Sequence, residues 1–319
     1  MTNVTPLLRR VLAKPWIWAY LAALLVWLAA VILTSGQATV GLLTAALTFG
    51  SFFTLVGIGQ MFVITLGPGN VDLSIPATMV LAATVSIKTM DGDPAMIPIG
   101  LVLAFAVGLL VGIANFALIR LLRIPPIIAT LSSSFIILSI AIAWNRGLRI
   151  KPPEILGDFP SANVLGVPLI ALLVLAVAAV MHVVLGRTRY GRSVTAIGQN
   201  QRAARLSGVN VDRVRFTTYV ACATFASLAG FLLASFSGGA ALNMGDPYLL
   251  TSIAVVVIGG TSVAGGYGNV PGLWGASLFL FLLAAMLNSF GLGEGVRQVL
   301  TGAIVIIVIV AASFRKAPD

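Results

Sequence analysis

"WIWAYLAALLVWLAAVIL", residues 16–33, runs for eighteen residues without a charge. As a helix rising about 1.5 Å per residue it is about 27 Å long, close to the hydrocarbon thickness of a bilayer. The rest of the chain has the same character. Only 28 of 319 residues are charged (19 basic, 9 acidic), 59% are hydrophobic, and the mean hydropathy is +1.07. A soluble domain carries about a quarter of its residues as Asp, Glu, Lys or Arg, so too few charges remain here to coat a water-facing surface. The chain is therefore expected to be an all-α integral membrane protein, because a lipid-facing backbone must satisfy its own hydrogen bonds. The period-2 alternation of a membrane barrel is absent.

Arg9, Arg10 and Lys14 precede this run and small residues follow it in "SGQA" (35–38), as around a signal peptide. The apolar core of a signal peptide is only about 7–15 residues long, so an uncleaved first span is expected. Nine further candidate spans follow at about 40–66, 74–90, 97–119, 126–144, 164–185, 216–236, 248–260, 270–290 and 296–313. Ten crossings put both termini on one side. If that side is the cytoplasm, fourteen basic residues fall at inward ends and five (Lys88, Arg146, Arg149, Lys151 and Arg297) at outward ends. That asymmetry satisfies the positive-inside rule, whereas nine or eleven crossings scatter the basic residues. Asp91, Asp93, Glu154, Asp158, Asp246 and Glu294 then all lie outside. Ten divides into five plus five, and an odd number per half inverts the second half relative to the first, a plan common among transporters. The two halves show no convincing sequence match, so the repeat rests on parity alone. The expected layout is a cytoplasmic segment 1–15, one transmembrane domain 16–314 with a cytoplasmic loop 186–215, and a cytoplasmic tail 315–319.

The net charge of +10 does not point to nucleic acid, because the basic residues sit at span ends rather than on one face. Cys222 is the single cysteine and lies in an apolar run, which excludes an internal disulfide and reads as a small buried hydrophobe. His182, the single histidine, reads as an interfacial side chain. No nucleophile stands beside a base, and no carboxylate pair shares an apolar run, so an enzyme is not expected.

Three segments are more than apolar filling. "GQNQRAARLSGVNVDRVR" (198–215) packs four arginines between two apolar runs. Asn200 can cap a short helix there, Gly208 can end it in the left-handed conformation, and Ala203, Leu206 and Val209 recur at steps of three. A helix this short needs a surface to pack on; the segment is either a loop that fixes topology or a handle for an acidic cytoplasmic partner. "TLGPGNVDLSIPATM" (65–79) interrupts two spans with glycines and prolines and carries Asp72. An intramembrane acid is a functional candidate. Asp72 can also cap the third helix together with Ser74, so capping and contact with a solute both stand. "VVVIGGTSVAGGYGNVPG" (255–272) is glycine-rich without the Lys of a phosphate loop, and reads as a turn between closely packed helices or as a gate element. The longest external loop, "NRGLRIKPPEILGDFP" (145–160), is basic and then acidic.

Three blocks carry a resemblance that covers about residues 40 to 312. "GNVDLSIPATM" is similar to a Gly-Gly-Ile-Asp-Leu-Ser-Val-Gly signature, "AIGQNQRAARLSGVNVDRVR" to a G-x-N-x-x-A-A-R-L-S-G-I loop, and "IAVVVIGGTSVAGGYGNVPG" to an I-G-G-T-S-x-x-G-G-x-G segment. In this order they resemble the permease subunits of bacterial ABC importers, in the ribose-type or simple-sugar group of the branched-chain amino acid and sugar permease superfamily. The resemblance implies residence in the inner membrane and two permease chains, this one with a second copy or a paralogue. It further implies two cytoplasmic ATPases that use ATP and Mg, an external solute-binding protein, and no cofactor in this chain. The loop Asn200, Arg202, Ala203, Ala204, Arg205, Leu206, Ser207 and Gly208 becomes the coupling element for the ATPase. Asn70, Asp72 and Ser74 become candidates near the translocation path, and Arg146, Arg149 and Lys151 candidates for docking the binding protein. Pro68, Asn70 and Pro76 depart from the first signature. "TLSSSFIILSIA" (130–141) lacks a usual glycine and arginine, and "PYLLTSIA" (247–254) a usual acid. The expected cargo is a small polar solute, a monosaccharide or related polyol. An ion-coupled secondary transporter is the alternative, for which only Asp72 offers a titratable group; a passive channel or a scaffold has less in its favour.

Overall fold

The computed structural model describes residues 14, 16–33, 39–145, 151–291 and 293–313. Each of the ten apolar segments carries a helix. These are α1 (Ile17–Leu33), α2 (Thr39–Thr65), α3 (Ile75–Met90), α4 (Ile97–Leu121), α5 (Pro126–Trp144), α7 (Leu169–Arg187), α10 (Val211–Phe236), α11 (Tyr248–Ile258), α12 (Val270–Ser289) and α13 (Glu294–Ser313). Between them lie three short helices, α6 (Glu154–Asp158), α8 (Arg189–Gln199) and α9 (Gln201–Leu206). A two-residue hairpin, β1 (Asn163–Val164) with β2 (Val167–Pro168), breaks the helical pattern. Six helices, α2, α4, α5, α7, α10 and α12, are long and apolar enough to cross a membrane, and the molecule is an all-α integral membrane protein.

Prolines set several boundaries by removing a backbone donor at a helix's first turn: Pro76, Pro98, Pro126 and Pro271 each fall there. Of the six long helices, α2, α10 and α12 are the more deeply buried, whereas α4, α5 and α7 form an outer layer. The outer layer exposes Val102, Leu110, Phe135, Ile136 and Val180, a display suited to lipid and untenable in water. Where α2 crosses α10, Gly59 lies against the Cys222 backbone, the small-residue contact that brings membrane helices close.

The two ends of the bundle differ in charge. At one end lie the C-termini of α4 and α7 with Arg120, Arg123 and Arg187, together with α8, α9 and the start of α10. At the other lie Asp91, Asp93, Glu154 and Asp158. Helix α2 runs towards the basic end and α10 away from it.

A pairing scheme recurs across the chain. Helix α10 packs on α3 and α4 as α2 packs on α11 and α12, α3 packs on α4 and α5 as α11 packs on α12 and α13, and α4 meets α5 as α12 meets α13. Matching glycines make two of these contacts: Gly57 of α2 faces Val255 of α11, and Gly230 of α10 faces the Met79 backbone of α3. Helices α1 and α7 break the scheme, α1 lying on α12 and α7 on both α2 and α12.

Helices α3 and α11 are short, 16 and 11 residues, the latter about 16 Å and half a membrane. Each follows an irregular segment, 66–74 and 237–247, and the two starts meet inside the protein, where Gly245 abuts the Pro76 backbone. Tyr248 stacks edge-on against Phe53 at 5.3 Å, and Phe53 is near the midpoint of α2. Asp246, expected at the outer boundary, therefore sits deep in the bundle's length, because segment 237–247 folds back from the end of α10 instead of staying outside.

Candidate functional site

The basic end is built on α8. Thr188 caps it, its hydroxyl accepting from the Gly191 N–H at 3.2 Å, while Gly191, Val194 and Ile197 are buried and Arg189 and Arg192 face outward. Tyr190 pins it to the bundle by stacking on Phe62 at 5.9 Å and by a 2.8 Å hydrogen bond with Thr218. Burial pushes the Tyr190 phenol above its ordinary value, which keeps it a neutral hydrogen-bonding group.

Helix α9 follows after one residue. The Asn200 carboxamide accepts from the Ala203 N–H at 3.0 Å. At the other end Val209 N–H donates to the Ala204 carbonyl and Gly208 N–H to the Arg205 carbonyl, with Gly208 at φ +85°. These two bonds form a Schellman stop, which needs a residue without a Cβ penalty at Gly208. Both ends of α9 are thereby fixed by local chemistry. Ala204 alone turns inward; Arg202, Ala203, Arg205 and Ser207 are exposed and Leu206 is 83% exposed. Of the expected stripe, Ala203 and Leu206 thus face away from their own chain, whereas Val209 is half-buried against the core.

Beside α9 opens a cleft of about 910 Å³ whose wall includes Asn70, Arg120, Arg123, Arg205, Asp212 and Arg215. Arg120 and Asp212 form an ion pair at 2.9 Å, tying α4 to α10. Arg123 adopts φ +55° in the turn between α4 and α5, and Arg215 donates to the Gln201 side chain at 3.1 Å.

Behind that wall, segment 66–74 is held by a buried polar network. Asp72 Oδ1 accepts from the Ser74 N–H at 2.9 Å and the Ser74 hydroxyl at 2.6 Å. The Ser74 hydroxyl accepts from the Asn115 carboxamide at 2.8 Å, which in turn accepts from the Ser133 hydroxyl at 2.5 Å. Gln60 accepts from the Asp72 N–H at 3.1 Å, and the Thr130 hydroxyl accepts from the Leu73 N–H at 3.0 Å. Asn70 donates to the Gly67 carbonyl at 3.0 Å and accepts from Tyr219 at 3.3 Å. Ser74 is the residue before α3, yet its side chain caps nothing there; it is engaged with Asp72 and Asn115, and the carboxylate acts one step earlier, on the Ser74 N–H. Asn70, Asp72 and Ser74 are all buried, and Asp72 Oδ2 has no partner among the described residues.

The glycine-rich segment after α11 closes the basic end. Gly266 N–H donates to the Thr65 carbonyl at 2.9 Å and Asn269 donates to the Gly259 carbonyl at 2.7 Å. Gly259 and Gly272 meet backbone to backbone, so of the two readings for this stretch the close-packed turn describes its geometry. His182 lines a second cleft of about 520 Å³ with Trp16, Arg192 and Tyr267. Among the docking candidates, Lys151 is exposed at the acidic end; Arg146 and Arg149 lie outside the described residues. Cys222 is buried without a disulfide.

Gln60, Asn115, Thr130, Ser133 and Tyr219 were not singled out from sequence. Their signal is a lone polar side chain inside an apolar run, with Thr130 and Ser133 three apart on one helical face. Of the departures from the first signature, Asn70 joins this network by accepting from Tyr219, and "TLSSSFIILSIA" contributes Thr130, which accepts from the Leu73 N–H, and Ser133, which donates to Asn115.

A lipid-suited bundle with interrupted helices, a buried polar network and an outward-facing basic helix defines a membrane transport subunit. The chain belongs to the family described as branched-chain amino acid transport system / permease component, which matches residues 42–309. It is 30% identical over 328 residues to the ribose import permease protein RbsC of Escherichia coli, covering 99% of this chain and 100% of that one. It is 29% identical over 272 residues to the autoinducer 2 import system permease protein LsrD of Salmonella typhi, covering 82% of this chain and 81% of the relative. No solved structure matches the chain significantly. The protein is a permease subunit of an ABC-type importer in the bacterial inner membrane, and not an enzyme.

Proposed function

We propose that this chain moves a monosaccharide or related polyol inward, driven by ATP and Mg bound at separate cytoplasmic ATPase subunits, with α9 as the element they grip. The observation that carries the ATPase contact is Leu206, 83% exposed on a helix capped at both ends. An apolar side chain fixed outward at the basic end is a preformed anchor for a partner's pocket. Arg202 and Arg205 flank it and favour an acidic partner surface. The relatives named for ribose and autoinducer 2 import support the solute class.

The ten-crossing, five-plus-five arrangement is supported by the recurring pairing of α2–α5 with α10–α13 and by the two short helices in corresponding positions. The positive-inside asymmetry supports cytoplasmic termini and a cytoplasmic loop 186–215. Asn70, at the cleft wall, with Asp72 and Ser74 behind it, borders the inward end of the path. The buried network holds that border shut until motion of α9 and α10 releases it. A second permease copy or a paralogue completes the channel, and an external binding protein docks through Arg146, Arg149 and Lys151 and carries most of the discrimination.

Reconstituted vesicles test this reading. Chain, ATPase and binding protein together accumulate solute uphill with ATP. Arg205→Glu combined with Gly208→Val inserts normally but loses ATPase association and uptake. Uphill accumulation by this chain alone, or unchanged uptake in the double variant, overturns it.

A further inference from the structure

Segment 237–247 is the counterpart of 66–74 in the second half, and the two are finished differently. In the first half, side chains of α2, α4, α5 and α10 bond to the segment, and its polar residues Asn70, Asp72 and Ser74 are buried, with only Pro68 and Gly69 exposed. In the second half Met244 and Gly245 turn inward, while Asn243, Asp246 and Pro247 are exposed. The side chains of Asn243 and Asp246 have no hydrogen bond or ion pair among the described residues. Their depth follows from two contacts: Gly245 abuts Pro76 at the start of α3, and Tyr248 meets Phe53 near the midpoint of α2 at 5.3 Å.

Irregular backbone at that depth survives only when it is covered by protein or lines a water-filled cavity, and a lone carboxylate facing lipid is strongly disfavoured. The starts of α3 and α11 converge beside it, a meeting of interrupted helices of the kind that places solute sites near the bilayer midplane. We infer that Asn243 and Asp246 line the water-filled solute path at its middle, contacting the hydroxyls of a neutral polyol. The Asp246 carboxylate accepts from solute hydroxyls, and the Asn243 carboxamide both donates and accepts. This rests on the permease reading and adds to it the polar wall that the cargo meets between the external entrance and the cleft at Asn70.

Cysteine accessibility tests the placement without any solute, because the single native cysteine is buried. In membranes holding the full complex, Asn243→Cys and Asp246→Cys react with a charged, membrane-impermeant methanethiosulfonate. Ile136→Cys, 61% exposed midway along the outer helix α5, does not. An unreactive Asp246→Cys, or one no faster than Ile136→Cys, overturns the inference. Contact is read by uptake of radiolabelled ribose: Asp246→Ala lowers the rate at least about tenfold, and Asp246→Glu recovers part of it, with ATPase association and thermal stability unchanged. Unaltered uptake in Asp246→Ala overturns the contact. A wild-type complex that accumulates no ribose with its binding protein counts against the monosaccharide reading, while the labelling still decides whether this wall faces water.

Discussion

Leu206→Ala isolates the handle from the fold that carries it. Leu206 is 83% exposed, and α9 keeps its Asn200 cap and Gly208 stop whatever stands at this position. Alanine is the better helix former, so the chain's own stability should stay within about 0.5 kcal/mol of wild type. Burying a leucine side chain is worth about 1.5–3 kcal/mol. If the ATPase buries Leu206, removing most of that side chain costs about 2 kcal/mol, which weakens association about thirtyfold. The assay is titration of purified ATPase onto the permease in nanodiscs, alongside thermal unfolding of the permease alone. Leu165→Ala is the control, since Leu165 is 100% exposed on the hairpin at the acidic end; it should leave ATPase affinity untouched. An affinity for Leu206→Ala within about threefold of wild type, or an equal loss in Leu165→Ala, would refute the reasoning, because the energy computed from burial would then have no surface to act on.

Two further substitutions probe the bundle. Gly230→Ala places a Cβ against the Met79 carbonyl between α10 and α3, and overpacking of this kind costs about 1–3 kcal/mol. Its melting temperature should fall, whereas Gly41→Ala, with nothing near its added Cβ, should be neutral or stabilising; the reverse order would contradict the packing. Asn115→Ala removes the link between Ser74 and Ser133 and leaves buried hydroxyls short of partners, at about 1–3 kcal/mol. Unfolding in mixed micelles should show that loss, and an unchanged midpoint would mean the network carries no stability.

The apolar runs and the bias of basic residues were enough to name the class and to place the ten apolar helices, because backbone in lipid must satisfy its own hydrogen bonds; the short helices α6 and α8, which lie in polar stretches, were not read. The ends of α9 were legible as well: Asn200 and Gly208 act through bonds to residues within a few positions of themselves. The membership suggested by three motifs extends over most of the chain.

Partners distant in sequence were not legible. Asn115 reads as one polar residue in an apolar helix, and only the packing of α3, α4 and α5 brings it to Ser74 and Ser133. Asp72 read as a helix cap together with Ser74 or as a solute contact; in the folded chain its carboxylate is buried and accepts from the Ser74 N–H and hydroxyl, in a network that joins four helices. Asp246 read as an outer boundary charge, yet segment 237–247 folds back into the bundle and leaves it exposed beside the start of α11. The sequence by itself determined which apolar stretches are helical and how α9 begins and ends, since those choices depend on transfer into lipid and on local hydrogen bonding. Which helices form the inner layer, where two interrupted helices meet, and which polar groups are sealed or left open were decided by tertiary packing, because those outcomes depend on backbone approaches between residues far apart in the chain.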